Sequence, residues 1–236
     1  MTNFPRRFYR QVAVSAVETG WQITLDGKIL RSPAKADLIL PTEQLADAIR
    51  AEWDAQIDQI RPQTMPMMQL ASTAVDRVQP HRQQVMADTA GYAGSDLLCY
   101  RADMPEELVR RQTQIWQPLL DWANHRFDTA LQATTGIVAI AQSATSLARY
   151  LRVIDTHDSW RLTALANLTG ITGSLVIALA LLEQRITPGE AVSAAQLDEL
   201  FQAERWGEDA EAKQRRLGLA NEITETAAYL ALLASA

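Results

Sequence analysis

The chain has 236 residues, 47% of them hydrophobic, which is enough apolar material for one large core or two small ones and too much for a disordered segment. Its 28 acidic and 22 basic residues leave a formal net charge of −6, which argues against an extended nucleic-acid face, because neutralising phosphates takes clustered Lys and Arg. The single cysteine, Cys99, excludes an internal disulfide and a multi-cysteine metal site, so a reducing compartment is the expectation.

The first elements in chain order are strands. Val12 and Val14 alternate with other residues, Glu18-Thr-Gly20 marks a turn, and Trp21, Ile23 and Leu25 alternate again toward Asp26-Gly27. Asp-Gly between apolar runs is a strong short-range hairpin signal, since a type I′ turn needs positive φ at both central residues. Leu38-Ile-Leu40, set off by Pro33 and Pro41, predicts a further strand. Pro41-Thr42 opens a helix whose apolar stripe is Leu45, Ile49, Trp53 and Ile57, with Ala48 filling the same face. Trp53, on that stripe, is expected in the structural core. Two prolines in Arg61-Pro-Gln-Thr-Met-Pro66 predict a loop, and Met67, Leu70, Ala71, Ala74, Val75 and Val78 then recur at helical spacing.

After about Pro80 strand signals nearly vanish. The fold class expected is α+β: a small antiparallel β-rich N-terminal domain with a helix, over residues 1–82, then a larger all-helical C-terminal domain over 83–236. In the latter, Asp103-Met-Pro-Glu106 reads as a helix cap, followed by a stripe of Leu108, Ile115, Trp116, Leu119, Leu120 and Ala123 that Pro118 should kink. Thr187-Pro-Gly-Glu190 is a second cap. One helix is predicted from Trp160 to Gln184, with the small residues of Thr169-Gly-Ile-Thr-Gly-Ser174 at its centre. A last helix is predicted from about Asp209 to Leu233, carrying Leu217, Ala220, Ile223, Ala227 and Leu230.

Chemistry is sparse. His81, His125 and His157 lie far apart and fall in no metal-ligand spacing, so no metal is expected. Gly170-Ile-Thr-Gly173-Ser174 lacks the spacing and the Lys of a phosphate loop, and no dinucleotide fingerprint or nucleophile elbow is present. Cys99, among aliphatic neighbours, reads as a small buried hydrophobe. No catalytic residue, cofactor or small-molecule substrate is therefore assigned. Two segments stand out because each sets a tryptophan beside carboxylates: Ala51-Glu-Trp-Asp-Ala-Gln56 and Arg205-Trp206-Gly-Glu208-Asp209-Ala-Glu211. In the second, helix capping and a partner-facing acidic patch are both open readings.

At these residues the sequence resembles a family, the ATP synthase assembly chaperones of mitochondria and alphaproteobacteria. The matching stretches run in order through Arg7-Phe-Tyr9, Leu25-Asp-Gly27, Leu30-Arg-Ser-Pro-Ala-Lys35, Leu40-Pro-Thr42, Ala51-Glu-Trp-Asp54 and Met65-Pro66. They continue with Asp96-Leu-Leu-Cys-Tyr-Arg101, Trp116-Gln-Pro-Leu-Leu-Asp-Trp122, Thr172-Gly-Ser-Leu175 and Trp206-Gly-Glu-Asp-Ala-Glu211. Gln117 departs from the pattern where many members carry an acid. The resemblance implies a non-enzymatic, ATP-independent chaperone that binds the free alpha subunit of the catalytic head and shields its subunit interface until beta replaces it. It also implies a partner-binding acidic position, carried here onto Glu208, Asp209 and Glu211, with Trp206 beside them. Neither nucleic acid nor membrane insertion belongs to that reading, since the longest apolar run, Leu175 to Leu182, is far shorter than the roughly 18 residues of a membrane span.

With no signal peptide visible, a bacterial member is expected in the cytoplasm and eukaryotic relatives in the mitochondrial matrix. The competing readings are a small-ligand enzyme using carboxylates at the domain junction, which requires convergent acids with perturbed pKa values, and a structural subunit that stays in its complex.

Overall fold

The computed structural model describes residues 4–136 and 140–234. They gather into two compact units, the first made of residues 4–82, 159–164 and 228–234, the second of 83–136, 140–158 and 165–227. A single cut after residue 82 does not describe the first unit, because two later helical segments supply part of its core: Ala164, Tyr229 and Leu233 are buried there.

In the first unit, β1 (Val12–Val17), β2 (Gly20–Leu25) and β3 (Lys28–Ile29) form an antiparallel sheet in that order, with Val12 opposite Leu25 and Leu25 opposite Lys28. Asp26 and Gly27 have φ of 48° and 78°, as the hairpin signal predicts. The Asp26 carboxylate accepts the backbone N–H groups of Gln11 (2.8 Å) and Arg10 (3.1 Å), which hold its pKa below the ordinary range. The predicted strand at residues 38–40 shrinks to one bridge, in which Leu40 and Trp21 exchange backbone hydrogen bonds of 2.8 and 2.9 Å. Glycine is required opposite it. A Cβ at Gly20, whose φ is 147°, would lie 2.4 Å from the Leu40 carbonyl oxygen.

Helix α1 (Glu43–Asp54) is capped by Thr42, whose hydroxyl accepts the Leu45 N–H, and it buries Leu45, Ala46, Ile49 and Trp53. Ile57 does not continue this stripe. The helix ends at Asp54 because the chain beyond it pairs with the N-terminal segment (Arg7 N to Asp58 O, 3.0 Å; Ile60 N to Pro5 O, 2.9 Å), and Ile57 is left 82% exposed. Trp53 is buried; its ring meets the edge of Tyr9 at 5.5 Å, and its carbonyl accepts the Tyr9 hydroxyl at 2.6 Å. The predicted loop contains a 3-10 turn at Pro62–Thr64. Helix α2 (Pro66–Thr73) follows and runs on through a π turn at Ala74–Val78.

The second unit is helical: α3 (Arg82–Gly91), α4 (Glu106–Phe127), α5 (Ala144–Asp155), α6 (Ser159–Thr172), α7 (Leu175–Leu182), α8 (Pro188–Ala195), α9 (Leu197–Trp206) and α10 (Ala210–Leu233), with parts of α6 and α10 in the first unit. It is not wholly helical, since β4 (Tyr100–Arg101) pairs in parallel with β5 (Thr134–Thr135). Helix α7 is buried on every side from Leu175 to Leu181, and the Trp116 indole N–H donates to the Ala194 carbonyl at 2.8 Å.

Local signals succeed and fail here for visible reasons. Thr187 and Glu190 form the capping box. Asp103, by contrast, caps nothing: Pro105 stays extended (φ −74°, ψ 160°) and occupies the cap position of α4, leaving Asp103 outside it. Pro118 sits inside α4, which runs unbroken from Glu106 to Phe127. The single helix predicted from 160 to 184 is two, because Gly173, at φ 66°, ends α6 and Ser174 caps α7 through the Ile177 N–H. Ile115 and Leu217, both placed on apolar stripes from sequence, are more than a third exposed.

Candidate functional site

The segment Trp206 to Glu211 runs from the last residue of α9, through the turn Gly207–Asp209, into the first turn of α10. Leu197 and Phe201 bury the inner face of α9. The Phe201 ring is covered by the guanidinium groups of Arg205 (4.6 Å) and Arg111 (5.2 Å), which pair with Glu107 at 2.9 and 2.7 Å, while Arg111 also reaches Glu204 at 2.7 Å. This network pins the end of α9. Gly207, with φ 78°, then reverses the chain and donates its N–H to Ala203 at 3.0 Å.

The three candidate acids have three different positions. Asp209 caps α10: its Oδ1 accepts the Ala212 N–H at 2.7 Å, and its carbonyl accepts that of Lys213 at 3.0 Å. Glu208 is half-buried and makes a forked pair with Arg216 (2.8 and 3.0 Å), whose hydrogen bonds hold its pKa below the usual carboxylate range. Glu211, in the first turn of α10, is exposed and has no hydrogen-bond or ion-pair partner among the described residues. Trp206 is 75% exposed.

Behind this turn lies a groove of about 490 Å³. Glu208, Asp209, Arg215 and Arg216 form one side, and Gly170 to Gly173, at the end of α6, form another. Gln196 is buried in the wall, where its Nε2 donates to the Arg216 carbonyl at 3.0 Å and its Oε1 has no donor among the described residues. The glycine wall is held from below by Asp96, a residue that sequence reasoning passed over. Asp96 is fully buried; its Oδ1 accepts the Leu98 N–H and its Oδ2 the Val176 N–H, both at 3.1 Å, and the Leu97 N–H reaches the Gly173 carbonyl at 3.0 Å. Burial pushes the Asp96 carboxyl up to about 6, against the lowering effect of Ser174 and of the backbone N–H donors. Three stretches far apart in sequence, 96–101, 172–175 and 206–211, thus share one structure. In the sequence Asp96 stands only as the first residue of one matching stretch, with no role assigned to it. Its role needs a partner 80 positions away, which no local pattern supplies.

The arrangement offers little to a reaction. Asp96, whose carboxyl burial raises to about 6, is sealed from solvent and its oxygens are taken by N–H groups. Glu208 is neutralised by Arg216. Cys99 is buried beside Asp96, and burial pushes its thiol up to about 12, the reverse of an activated nucleophile. Among the described residues no group of three or more His, Cys, Asp or Glu could hold a metal ion, and no helix is long and apolar enough to cross a membrane. What the segment does present is a large exposed aromatic ring, Trp206, and a carboxylate, Glu211, without a partner among the described residues.

Comparison with known proteins identifies the family. The model of the ATP12 chaperone protein family matches residues 6–124, half of the chain. The crystal structure of Atp12 from Paracoccus denitrificans is 38% identical, with a TM-score of 0.92 over 97% of this chain and 98% of that one; an Asp-to-Lys variant of the same protein gives the same values. The Atu1473 protein of Agrobacterium tumefaciens is 41% identical, with a TM-score of 0.90 over 96% of this chain and 85% of that one. Mitochondrial atp12 of Schizosaccharomyces pombe is 26% identical over 214 residues, 86% of this chain and 74% of that protein. The chain therefore belongs to the ATP12 chaperone family.

Proposed function

We propose that the protein is an ATP-independent assembly chaperone of the F-type ATP synthase, which binds the free alpha subunit of the catalytic head and covers its interface until the beta subunit takes its place. The observation that carries this reading is membership of a chaperone family along nearly the full chain, with an exposed Trp206 and an unpaired Glu211 on a rigidly built turn. A ring subunit exposes large apolar faces before assembly, and covering them needs no chemistry, only a competitor that binds more tightly at release. Trp206 and Glu211 are the contacts in this scheme; Glu208 and Asp209 hold the turn that presents them. The compartment is that of the assembling head, the cytoplasm in bacteria and the matrix in mitochondria.

The test is capture of purified alpha and beta subunits by the protein, together with suppression of alpha aggregation. Binding to alpha and not beta is expected. Trp206→Ala and Glu211→Lys should each weaken it about tenfold, the scale of an interface hot spot, with cooperative unfolding unchanged. Loss of cooperative folding in Glu211→Lys would make that residue structural, and failure of the wild-type chain to bind alpha would end the reading.

A further inference from the structure

We propose that the open edge of the first unit's sheet is a self-association surface, on which β1 of one copy pairs antiparallel with β1 of a second copy and Val14 lies on the two-fold axis. The sheet runs in the order β1-β2-β3, so β1 has a strand on one side only. The register tells which of its backbone groups face outward. Ala13, Ser15 and Val17 lie opposite Thr24, Gln22 and Gly20, in phase with Gln11, whose carbonyl accepts the Asp26 N–H at 2.9 Å. In an antiparallel pair such alternate residues exchange hydrogen bonds across the ladder, and the residues between them turn their N–H and C=O groups the other way. Ile23, opposite Val14, has the matching phase, since its carbonyl accepts the Leu30 N–H on the β3 side at 2.8 Å. Val12, Val14 and Ala16 therefore direct their backbone groups away from β2, and these groups have no hydrogen-bond partner among the described residues. Ser15 and Ala16 are exposed, while Val12 and Val14 are half-buried because one face of the strand lies on the core.

Sheet edges are ordinarily blunted by a Lys, a Pro, an inward charge or a bulge. β1 carries none of these: Gln11-Val-Ala-Val-Ser-Ala-Val17 is uncharged, and its register with β2 runs without interruption from Val12 to Val17. What completes such an edge is another strand, which offers donors and acceptors at the same spacing. The strand that fits is β1 itself. Positions 12, 14 and 16 are symmetric about Val14, so a pairing centred there sets Val14 opposite its own copy and Val12 opposite Ala16 of the second copy. Every outward N–H and C=O then meets its counterpart, as an isologous two-fold contact requires. The same register brings Arg10 opposite Glu18 of the second copy, at both ends of the ladder. Both side chains are exposed and in no ion pair among the described residues; Arg10 meets Asp26 through its backbone N–H, at 3.1 Å. Sliding one copy by two residues would set both charges opposite uncharged positions. An unrelated strand would match the backbone alone, whereas a second copy matches backbone and charge together. The inference is independent of the alpha-subunit reading, which concerns Trp206 and Glu211.

The test is sedimentation velocity of the full chain. One short ladder is a small interface, so a dissociation constant on the order of 10–100 μM is expected, and between about 1 and 500 μM the mass should rise from 26.2 kDa toward twice that value. Glu18→Arg and Arg10→Glu each set like charges opposite one another at both ends. Each should weaken association about tenfold, with melting temperature unchanged because both side chains are exposed. Mixed in equal amounts, the two variants regain opposite charges at both ends and should associate as the wild type does. Amide hydrogen exchange followed by NMR reads the ladder directly. From about 50 to 500 μM the Val12, Val14 and Ala16 amides should slow about twofold or more, while those of Ala13, Ser15 and Val17, already bonded to β2, should not change. A mass of 26.2 kDa throughout overturns the proposal, as does association that the charge variants leave unaltered or a mixture no tighter than either variant alone. Slowing of the three outward amides only when alpha subunit is added would make a partner's strand the occupant and likewise overturn it. Neither Trp206 nor Glu211 is altered in any arm, so this proposal and the alpha-subunit reading fail separately.

Discussion

Replacing Asp96 by Asn should remove a loss of stability that the wild-type protein carries as pH rises. Burial is the dominant influence on this carboxyl and raises its pKa from 3.8 to about 6, so the folded chain holds the proton more tightly than the unfolded one. The wild type therefore loses stability as pH rises through the interval between those two values, by about 3 kcal/mol once the group is fully ionised. Between pH 4.5 and 7.5, which omits part of the interval, the loss is about 2 kcal/mol. Asn carries no titrating proton. It keeps one carbonyl acceptor but turns an NH₂ toward either Leu98 or Val176, whose N–H is then unmet at a cost of about 1–3 kcal/mol. At pH 4.5 the variant should be the less stable protein by about that amount, and by pH 7.5 the gap should shrink by about 2 kcal/mol. Urea unfolding followed by far-ultraviolet circular dichroism, on both proteins at both pH values, measures it. A gap that is the same at the two pH values, or one that widens with pH, refutes the reasoning, because it would mean that the N–H donors outweigh burial.

Three further outcomes are expected. Gly20→Ala should cost on the order of 1–3 kcal/mol from backbone strain alone, with the 2.4 Å approach to the Leu40 carbonyl adding to it; thermal unfolding would show a drop of several degrees, and an unchanged midpoint would mean that the bridge between Trp21 and Leu40 is dispensable. Trp53→Ala should cost about 3–5 kcal/mol through the cavity it opens beside Tyr9, and a melting temperature near that of the wild type would remove Trp53 from the core. Thr187→Ala removes the hydroxyl half of the capping box at α8, leaving the backbone N–H of residue 187 on the Glu190 carboxylate, and should cost about 1 kcal/mol in urea unfolding, with Thr187→Ser recovering most of it.

What could be read from the sequence was local. Asp26-Gly27 needs only two positive φ values, and Thr42 or the pair Thr187 and Glu190 need only a backbone N–H three residues away. Each element announces itself within one turn. The break at Gly173 was hidden because helical apolar spacing continues on both sides of it, and only the cap by Ser174 decides in favour of two helices. Ile57 kept the four-residue rhythm of its helix but lost to strand-like pairing with the N-terminal segment, a contact between distant residues. At the α9–α10 turn the acids were legible as a cluster. Their division into cap, ion pair and free carboxylate depends on Arg216, one helical span further on.

The first unit's discontinuity bears on how the protein is made. Its sheet and α1 leave the ribosome early, yet Tyr229 and Leu233 belong to their core, and the Thr42 hydroxyl that caps α1 donates to the Leu232 carbonyl at 2.8 Å. Synthesis delivers those partners only after the whole second unit has been translated. Until then the nascent N-terminal portion carries uncovered apolar surface, so this member of a chaperone family passes through a stage in which its own first-made segment is the exposed one.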